Sequence, residues 1–183
     1  SGNLDWIFKK MKVRLATLQD LDFIKKNADQ IYFKIEKEFW KENYYRISNN
    51  DCIELINQNE LYVLNNSNEI LGFVTITKKN SKTLTFSMLT VIEKYHNKGY
   101  GNLLINYIFN KANSEGVETI LIEILCAKNF KHAQKEVLIN WYKKNGFKYV
   151  KSFPFERLYP SHIKFMKSEL IFKQFSKNLI NDN

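Results

Sequence analysis

The chain has little of what interrupts, staples or anchors a fold. It contains 2 prolines, 2 cysteines and 6 glycines in 183 residues. A collagen-like chain is excluded, as is a chain divided by Gly/Ser/Pro-rich linkers. A disulfide scaffold is excluded too. Cys52 and Cys126 form no Cys-x-x-Cys pair and have no histidine at metal-ligand spacing, so no metal is expected. Both lie in apolar surroundings and read as buried thiols of a reducing compartment. No apolar run approaches the ~20 residues of a membrane span. The longest, 70–76 and 119–127, are strand-sized and broken by Thr or Glu. No continuous apolar leader stands near the start, so a cytoplasmic location and no membrane partner are expected. With no repeat or linker, residues 1–183 are expected to form one domain with a core over 12–170. Residues 1–10 read as a tag or extension, with Ser1-Gly2 as a cloning scar and Met11 as a candidate native start. Residues 171–183 read as a C-terminal tail.

What is present is ordinary globular material: 44% hydrophobic and 26% charged residues. Lys and Arg exceed Asp and Glu by +9. A basic balance suits an anionic partner, whether nucleic acid, membrane surface or phosphorylated cofactor. The cations are spread among acidic neighbours, and no nucleic-acid motif or polybasic tail appears, so no nucleic-acid partner is expected.

Hydrophobic periodicity orders the chain. Residues 12–16 alternate as a short strand, and Thr17 with Asp20 three residues on reads as a helix start. Helical character runs through Leu18, Leu21 and Ile24 to Ile31 and on over 33–55, with Asn49-Asn50-Asp51 as a break. Residues 61–64, 70–77 and 83–92 read as three antiparallel strands, and Gly72 inside the second predicts a close backbone approach. A helix follows over 102–114, ended by Gly116, then a strongly apolar strand over 118–126. A helix over 134–144 ends at Asn145-Gly146. Segments 147–152 and 163–170 read as a final strand pair.

The segment Tyr95-His96-Asn97-Lys98-Gly99-Tyr100-Gly101-Asn102 joins a strand to a helix. Its two glycines let successive amides curl toward one anion at the positive end of the helix, and Lys98 adds charge at the rim. A tight turn with no ligand would carry the same Gly-x-Gly. No Gly-Lys-Ser/Thr follows, so it is not a P-loop, and the third glycine of a dinucleotide fingerprint is missing.

From Val91 to Leu104 the sequence resembles the pyrophosphate loop of the GNAT superfamily of acetyl-CoA-dependent N-acetyltransferases. Trp141-Tyr142-Lys143-Lys144-Asn145-Gly146-Phe147 is similar to a second family segment. Further matches are Arg14-x-Ala16-x-x-x-Asp20, Ile70-x-Gly72-Phe73, and Lys164-Phe165-Met166-Lys167 as the last strand. The chain departs from the pattern at His96, where Arg or Gln is usual, at Glu93 in place of Pro, and in a longer segment about 128–135.

The resemblance implies an α+β fold of three layers, with a mixed, mostly antiparallel central sheet and helices on both faces. The strands 83–92 and 118–126 are expected to splay apart. Acetyl-CoA would enter the gap, paired with main-chain groups of Leu89 and Val91. Its pyrophosphate would rest on His96, Asn97, Lys98, Gly99, Tyr100, Gly101 and Asn102. Tyr142 is the expected general acid toward sulfur, or else a packing tyrosine. Glu123, a carboxylate in an apolar strand, is expected to be raised in pKa by burial. It is a candidate base, a structural ion-pair member or an amine anchor. The implied reaction is direct acetyl transfer to a primary amine on a small molecule or peptide. The alternative is a non-catalytic acyl-CoA-binding or sensing module of the same fold.

The acceptor side is open. Tyr32, Phe39, Trp40, Tyr44, Tyr45, Phe153 and Phe155 either stack on a substrate or belong to the core. Glu36, Glu38 and Glu42 either attract a cationic amine or form a solvated helix face. His132 reads as solvated or at the acceptor entrance, and His162 as a loop or strand-edge residue. Apolar residues of the last strands and 172–180 are compatible with a homodimer.

Overall fold

The computed structural model describes residues 10–180; the N-terminal extension up to residue 9, with its Ser1-Gly2, lies outside them, as do residues 181–183. One seven-stranded sheet runs in the order β1-β2-β3-β4-β5-β7-β6. Its strands are β1 Lys12–Leu15, β2 Leu61–Asn65, β3 Ile70–Lys78, β4 Thr83–Val91, β5 Thr119–Ala127, β6 Lys148–Pro154 and β7 Leu170–Asn178. Every neighbouring pair is antiparallel except β4 and β5. The helices are α1 Leu21–Ile35, α2 Asn49–Asn57, α3 Tyr100–Ser114 and α4 Ala133–Lys144.

β2 and β3 are buried on both faces, and alternation along β2 assigns its residues to two layers. Tyr62 and Leu64 of β2 join Leu71, Val74 and Ile76 of β3 under α3 and α4. That layer takes Leu104, Ile105, Ile108 and Ala112 from α3, and Ile139 and Tyr142 from α4. Leu61, Val63 and Phe73 face the other way and pack with Ile24 and Ala28 of α1 and Ile56 of α2. A third cluster is mostly aromatic: Phe39, Trp40, Tyr44, Phe153, Phe155 and Phe172 close around Leu125, Ala127 and Leu170. Cys52 and Cys126 are buried and unpaired, and burial pushes the Cys52 thiol up to about 11.

Local chemistry explains most boundaries. Asp20 accepts from the Thr17 amide at 2.8 Å and pairs with Arg14 at 2.8 Å, which ties β1 to the entry of α1. Gly116 and Gly146 lie at φ +71° and +94°, the left-handed region where helices stop.

Two expectations fail. Asn49-Asn50-Asp51 does not end a helix. Ser48 and Asp51 form a reciprocal cap with both bonds at 3.0 Å, so this polar cluster begins α2, and 36–48 is a loop. The last strand is also displaced. Pro160–Phe165 is a 3-10 turn, and Met166 makes only an isolated bridge to Trp40, so Lys164-Phe165-Met166-Lys167 is not the last strand. The strand is Leu170–Asn178, most of it in the segment read as a tail. It pairs with β5 from Ala127↔Leu170 to Thr119↔Asn178 and separates β5 from β6. Phe165 and Met166 pack on the aromatic cluster and Ile163 is exposed, while in β7 Phe172 joins that cluster and Phe175 the layer under α3 and α4.

Gly72 meets the expectation of close approach. A Cβ there would stand 2.6 Å from the Thr90 carbonyl oxygen and 3.1 Å from Leu104 Cδ1. Neither the β4 main chain nor the buried α3 leucine has room to retreat. Gly72→Ala is expected to cost about 1–3 kcal/mol of stability, read as a lower denaturation midpoint with an unchanged slope. An unchanged midpoint would show that β3 and β4 shift freely.

Candidate functional site

β4 and β5 begin as a parallel pair and then part. Only Thr83↔Thr119, Leu84↔Ile120 and Thr85↔Leu121 are in register. The cause lies partly in β4. Between Thr75↔Ser87 and Phe73↔Thr90, β4 advances three residues while β3 advances two, and Met88 takes φ +55°. A bulge of this kind bends its strand and increases its twist. Past it, Ile92 donates to Leu71 at 2.9 Å, so alternation turns the main chain of Val91 and Leu89 away from β3 and toward the gap. A cleft of 550 Å³ fills the opening, walled by Phe86 to Val91 of β4 and Ile122 to Leu125 of β5.

The strand-to-helix loop heads this cleft. Asn97 and Gly99 lie at φ +63° and +86° and curl the backbone into a concave turn, with Gly99 as the N-cap of α3. The first amides of α3, from Tyr100 on, have no partner within the helix and sit at its positive end. His96, Asn97, Gly99, Tyr100 and Gly101 line the cleft, as do Leu89 and Val91. Lys98 and Asn102 are exposed beside it. Gly101 passes under Trp141, whose ring would lie 3.6 Å from a Cβ. His96 has a role the sequence does not reveal. Its Nε2 is 2.8 Å from the Val91 carbonyl oxygen. A carbonyl only accepts, so Nε2 donates, and neutral His96 has only the acceptor Nδ1 left.

Tyr142 and Glu123, from α4 and β5, line the same cleft. The Tyr142 ring packs against Phe86, Trp141 and Phe147. Its hydroxyl makes no hydrogen bond among the described residues and is not sealed from solvent. Burial, with a smaller contribution from Tyr32, pushes its pKa well above the ordinary tyrosine value. The hydroxyl therefore stays protonated, with its proton not committed to any partner among the described residues. Glu123 is half-buried and accepts one long bond, 3.4 Å, from Gln174 of β7. Its other oxygen makes no hydrogen bond among the described residues. Gln174 escaped sequence reading because β7 itself was misplaced.

At the far end, Tyr32, Arg46 and Lys135 complete the wall. They surround Glu36, which is fully buried rather than a solvated helix residue. Arg46 Nη1 donates to both Glu36 oxygens at 2.9 and 2.8 Å. Lys135 Nζ donates to Oε2 at 2.7 Å and Trp40 Nε1 to Oε1 at 3.1 Å. Burial alone would raise the Glu36 pKa, but Arg46 and Lys135 outweigh it and hold the pKa at about 2. Glu36 thus has no capacity left for an amine, and Glu38 and Glu42 are exposed. Of the aromatics, Tyr32 faces the cleft, Tyr45 is exposed, and the other five are core. His132 is no solvated residue: it accepts from the Lys135 amide at the start of α4 and packs edge-on against Phe39. His162 Nδ1 lies 2.7 Å from the Tyr44 hydroxyl in the turn before β7.

Residues 57–149, just over half the chain, match the family model described as acetyltransferase (GNAT) domain. No curated protein matches by sequence. Among solved structures, an N-acetyltransferase of Staphylococcus aureus Mu50 aligns at TM-score 0.67 and 17% identity, covering 92% of this chain and 98% of that one. Spermidine N-acetyltransferase of Vibrio cholerae, solved with CoA and spermine, aligns at 0.66 and 16%, covering 93% and 96%. The ribosomal-protein-S18-alanine N-acetyltransferase of Escherichia coli aligns at 0.60 and 15%, covering 92% and 94%. At these identities the likeness is one of fold, and it extends to the open mixed sheet.

The buried carboxylate gives a test of the site's far wall. Because the native pKa of Glu36 lies below its ordinary 4.5, its ionised form stabilises the fold fully above that value. The contribution is lost as pH falls toward about 2. Glu36→Gln leaves the two cations without their counter-charge and is expected to cost about 3–5 kcal/mol at neutral pH. The gap between wild type and variant should narrow as acid is added. A gap independent of pH would mean that Glu36 is not held ionised by Arg46 and Lys135.

Proposed function

The chain belongs to the GNAT acetyltransferase family, and on that premise we propose that it moves the acetyl group of acetyl-CoA to a primary amine by direct attack, with both substrates bound together. The observation that carries this reading is the parting of β4 and β5 after three residue pairs, with a concave amide-lined loop at the head of the gap.

The residues present fit an acyl-CoA. The outward main chain of Leu89 and the N–H of Val91 offer strand-like partners to the amides of a pantetheine arm. The Val91 carbonyl is engaged by His96, so His96 positions the loop instead of donating to a phosphate while neutral. The amides of Asn97, Lys98, Gly99, Tyr100, Gly101 and Asn102 form an anion cradle for a pyrophosphate. Lys98 and Asn102, exposed at the rim, contribute main chain more than side chain.

When bound, acetyl-CoA supplies an activated acyl group. The Tyr142 hydroxyl, held protonated by burial and free of other partners, delivers a proton to the departing sulfur. Glu123, with one oxygen held by Gln174 and the other without a hydrogen bond among the described residues, accepts a proton from the acceptor ammonium directly or through water. The apolar walls from Phe86, Ile122 and Ile124 limit access of bulk water to the reacting groups.

Thiol release from acetyl-CoA over a panel of primary amines tests the reading. Amine-dependent release with matching N-acetylated product is expected. In Tyr142→Phe, kcat should fall about 10²–10⁴-fold with acetyl-CoA affinity little changed. Glu123→Gln should flatten the acidic limb of the pH–rate profile. Near-wild-type turnover in Tyr142→Phe rejects that residue as the acid. Tight acetyl-CoA binding with no turnover of any amine would instead assign a sensing module.

A further inference from the structure

We infer that the acceptor is an amino carboxylate, a small amine carrying its own carboxylate, which docks on Arg46 at the far end of the cleft. This rests on the acetyl-transfer reading and goes beyond it in naming the substrate class. The argument begins with charge. One carboxylate, Glu36, is shared by two cations, Arg46 and Lys135, and neither has another acidic partner among the described residues. The cluster therefore carries a surplus positive charge in a largely dehydrated wall, where a charge without a counter-ion is costly.

The geometry of Arg46 adds direction. Only Nη1 is used, for both Glu36 oxygens. Nε and Nη2 make no hydrogen bond among the described residues, and neither is sealed from solvent. These two donors lie side by side on one edge of the guanidinium, the edge that takes a carboxylate in two parallel hydrogen bonds. The plane is steadied by Tyr32, whose ring centroid lies 4.7 Å from the Arg46 Cζ. Arg46 and Tyr32 line both the 550 Å³ cleft and an adjoining groove of 820 Å³, so they stand where an acceptor would pass from one to the other.

The same wall disfavours a polycation. Glu123 is the one carboxylate lining the 550 Å³ cleft among the described residues, and a single acceptor amine satisfies it; in the adjoining groove the exposed Glu38 and Glu42 stand among Lys37, Lys41 and Lys167, which repel added positive charge. The alignment with a spermidine enzyme, at 16% identity, therefore speaks for the fold and not for the acceptor.

The test pairs amino acids with their carboxamides, alongside putrescine and spermidine, in the thiol-release assay. Calorimetric binding of acetyl-CoA is measured separately. At least one amino acid should exceed its carboxamide about tenfold or more in kcat/KM and exceed both polyamines by a similar factor. Arg46→Lys keeps the charge and removes the fork. It should bring the acid-to-amide ratio close to one by raising KM for the acid, while acetyl-CoA affinity stays unchanged. If that variant does not fold, the wild-type ratios still decide. Carboxamides or polyamines used as well as the acids overturn the proposal. So does an unchanged ratio in Arg46→Lys, or no turnover of any amino acid by protein that binds acetyl-CoA. Failure to bind acetyl-CoA strikes the acetyl-transfer reading itself, and the proposal with it.

Discussion

Main-chain N–H and C=O groups inside a protein must find partners, and a sheet normally supplies them strand by strand. β4 and β5 stop doing so after Thr85 and Leu121. The rest of the molecule is arranged around that interruption. β3 holds the other edge of β4 in a continuous ladder broken by one bulge, while β7 holds the other edge of β5 along its whole length. Each strand is thus fixed by its outer neighbour, and the gap stays open without loss of the sheet. Gly72 lets β3 press against β4 where the strand must be held firmly. The loop and α3 then follow β4 and bring their unpaired amides to the head of the same gap, so backbone donors converge on one cleft.

The opposite end is governed by charge. Glu36 follows α1, Arg46 lies in the loop before α2, and Lys135 is in the first turn of α4, so three separated segments meet at one buried carboxylate. This arrangement ties the 36–48 loop to α4 and sets the polarity of the cleft wall that Arg46 and Lys135 line. It also explains why a helix-face reading of Glu36 fails. A carboxylate that is fully buried with two cations and an indole N–H around it is a structural centre, and its neighbours, rather than Glu36 itself, are what a substrate would meet.

Much of this was legible in the sequence. Alternation identified β1, apolar runs bounded by turn clusters identified β2 to β5, and glycines at 72, 99, 116 and 146 marked a close approach, a loop and two helix ends. The cleft-lining pair Tyr142 and Glu123 was readable because a motif and a carboxylate in an apolar strand are both local signals. The errors share a physical cause. The 163–166 segment is apolar enough for a strand, and the polar residues of 173–178 look like a tail. Which of them enters the sheet is decided by pairing with β5, about 50 residues away in sequence, as Glu123↔Gln174 shows. The Glu36–Arg46–Lys135 cluster is equally non-local, since Lys135 lies 99 residues from Glu36. Ser48 and Asp51 were a different case: the capping signal was present, but the surrounding helical composition masked it.

The most direct measurement is amide hydrogen exchange at Leu89 and Val91, followed by NMR with and without saturating CoA. If the parted strands receive a pantetheine arm, both amides exchange readily in the free protein and become protected on CoA binding. Amides of β3 that already bond within the sheet should then change little. Binding of CoA that leaves Leu89 and Val91 unprotected would contradict the account, because the ligand would then be held elsewhere and the gap between β4 and β5 would not be its site.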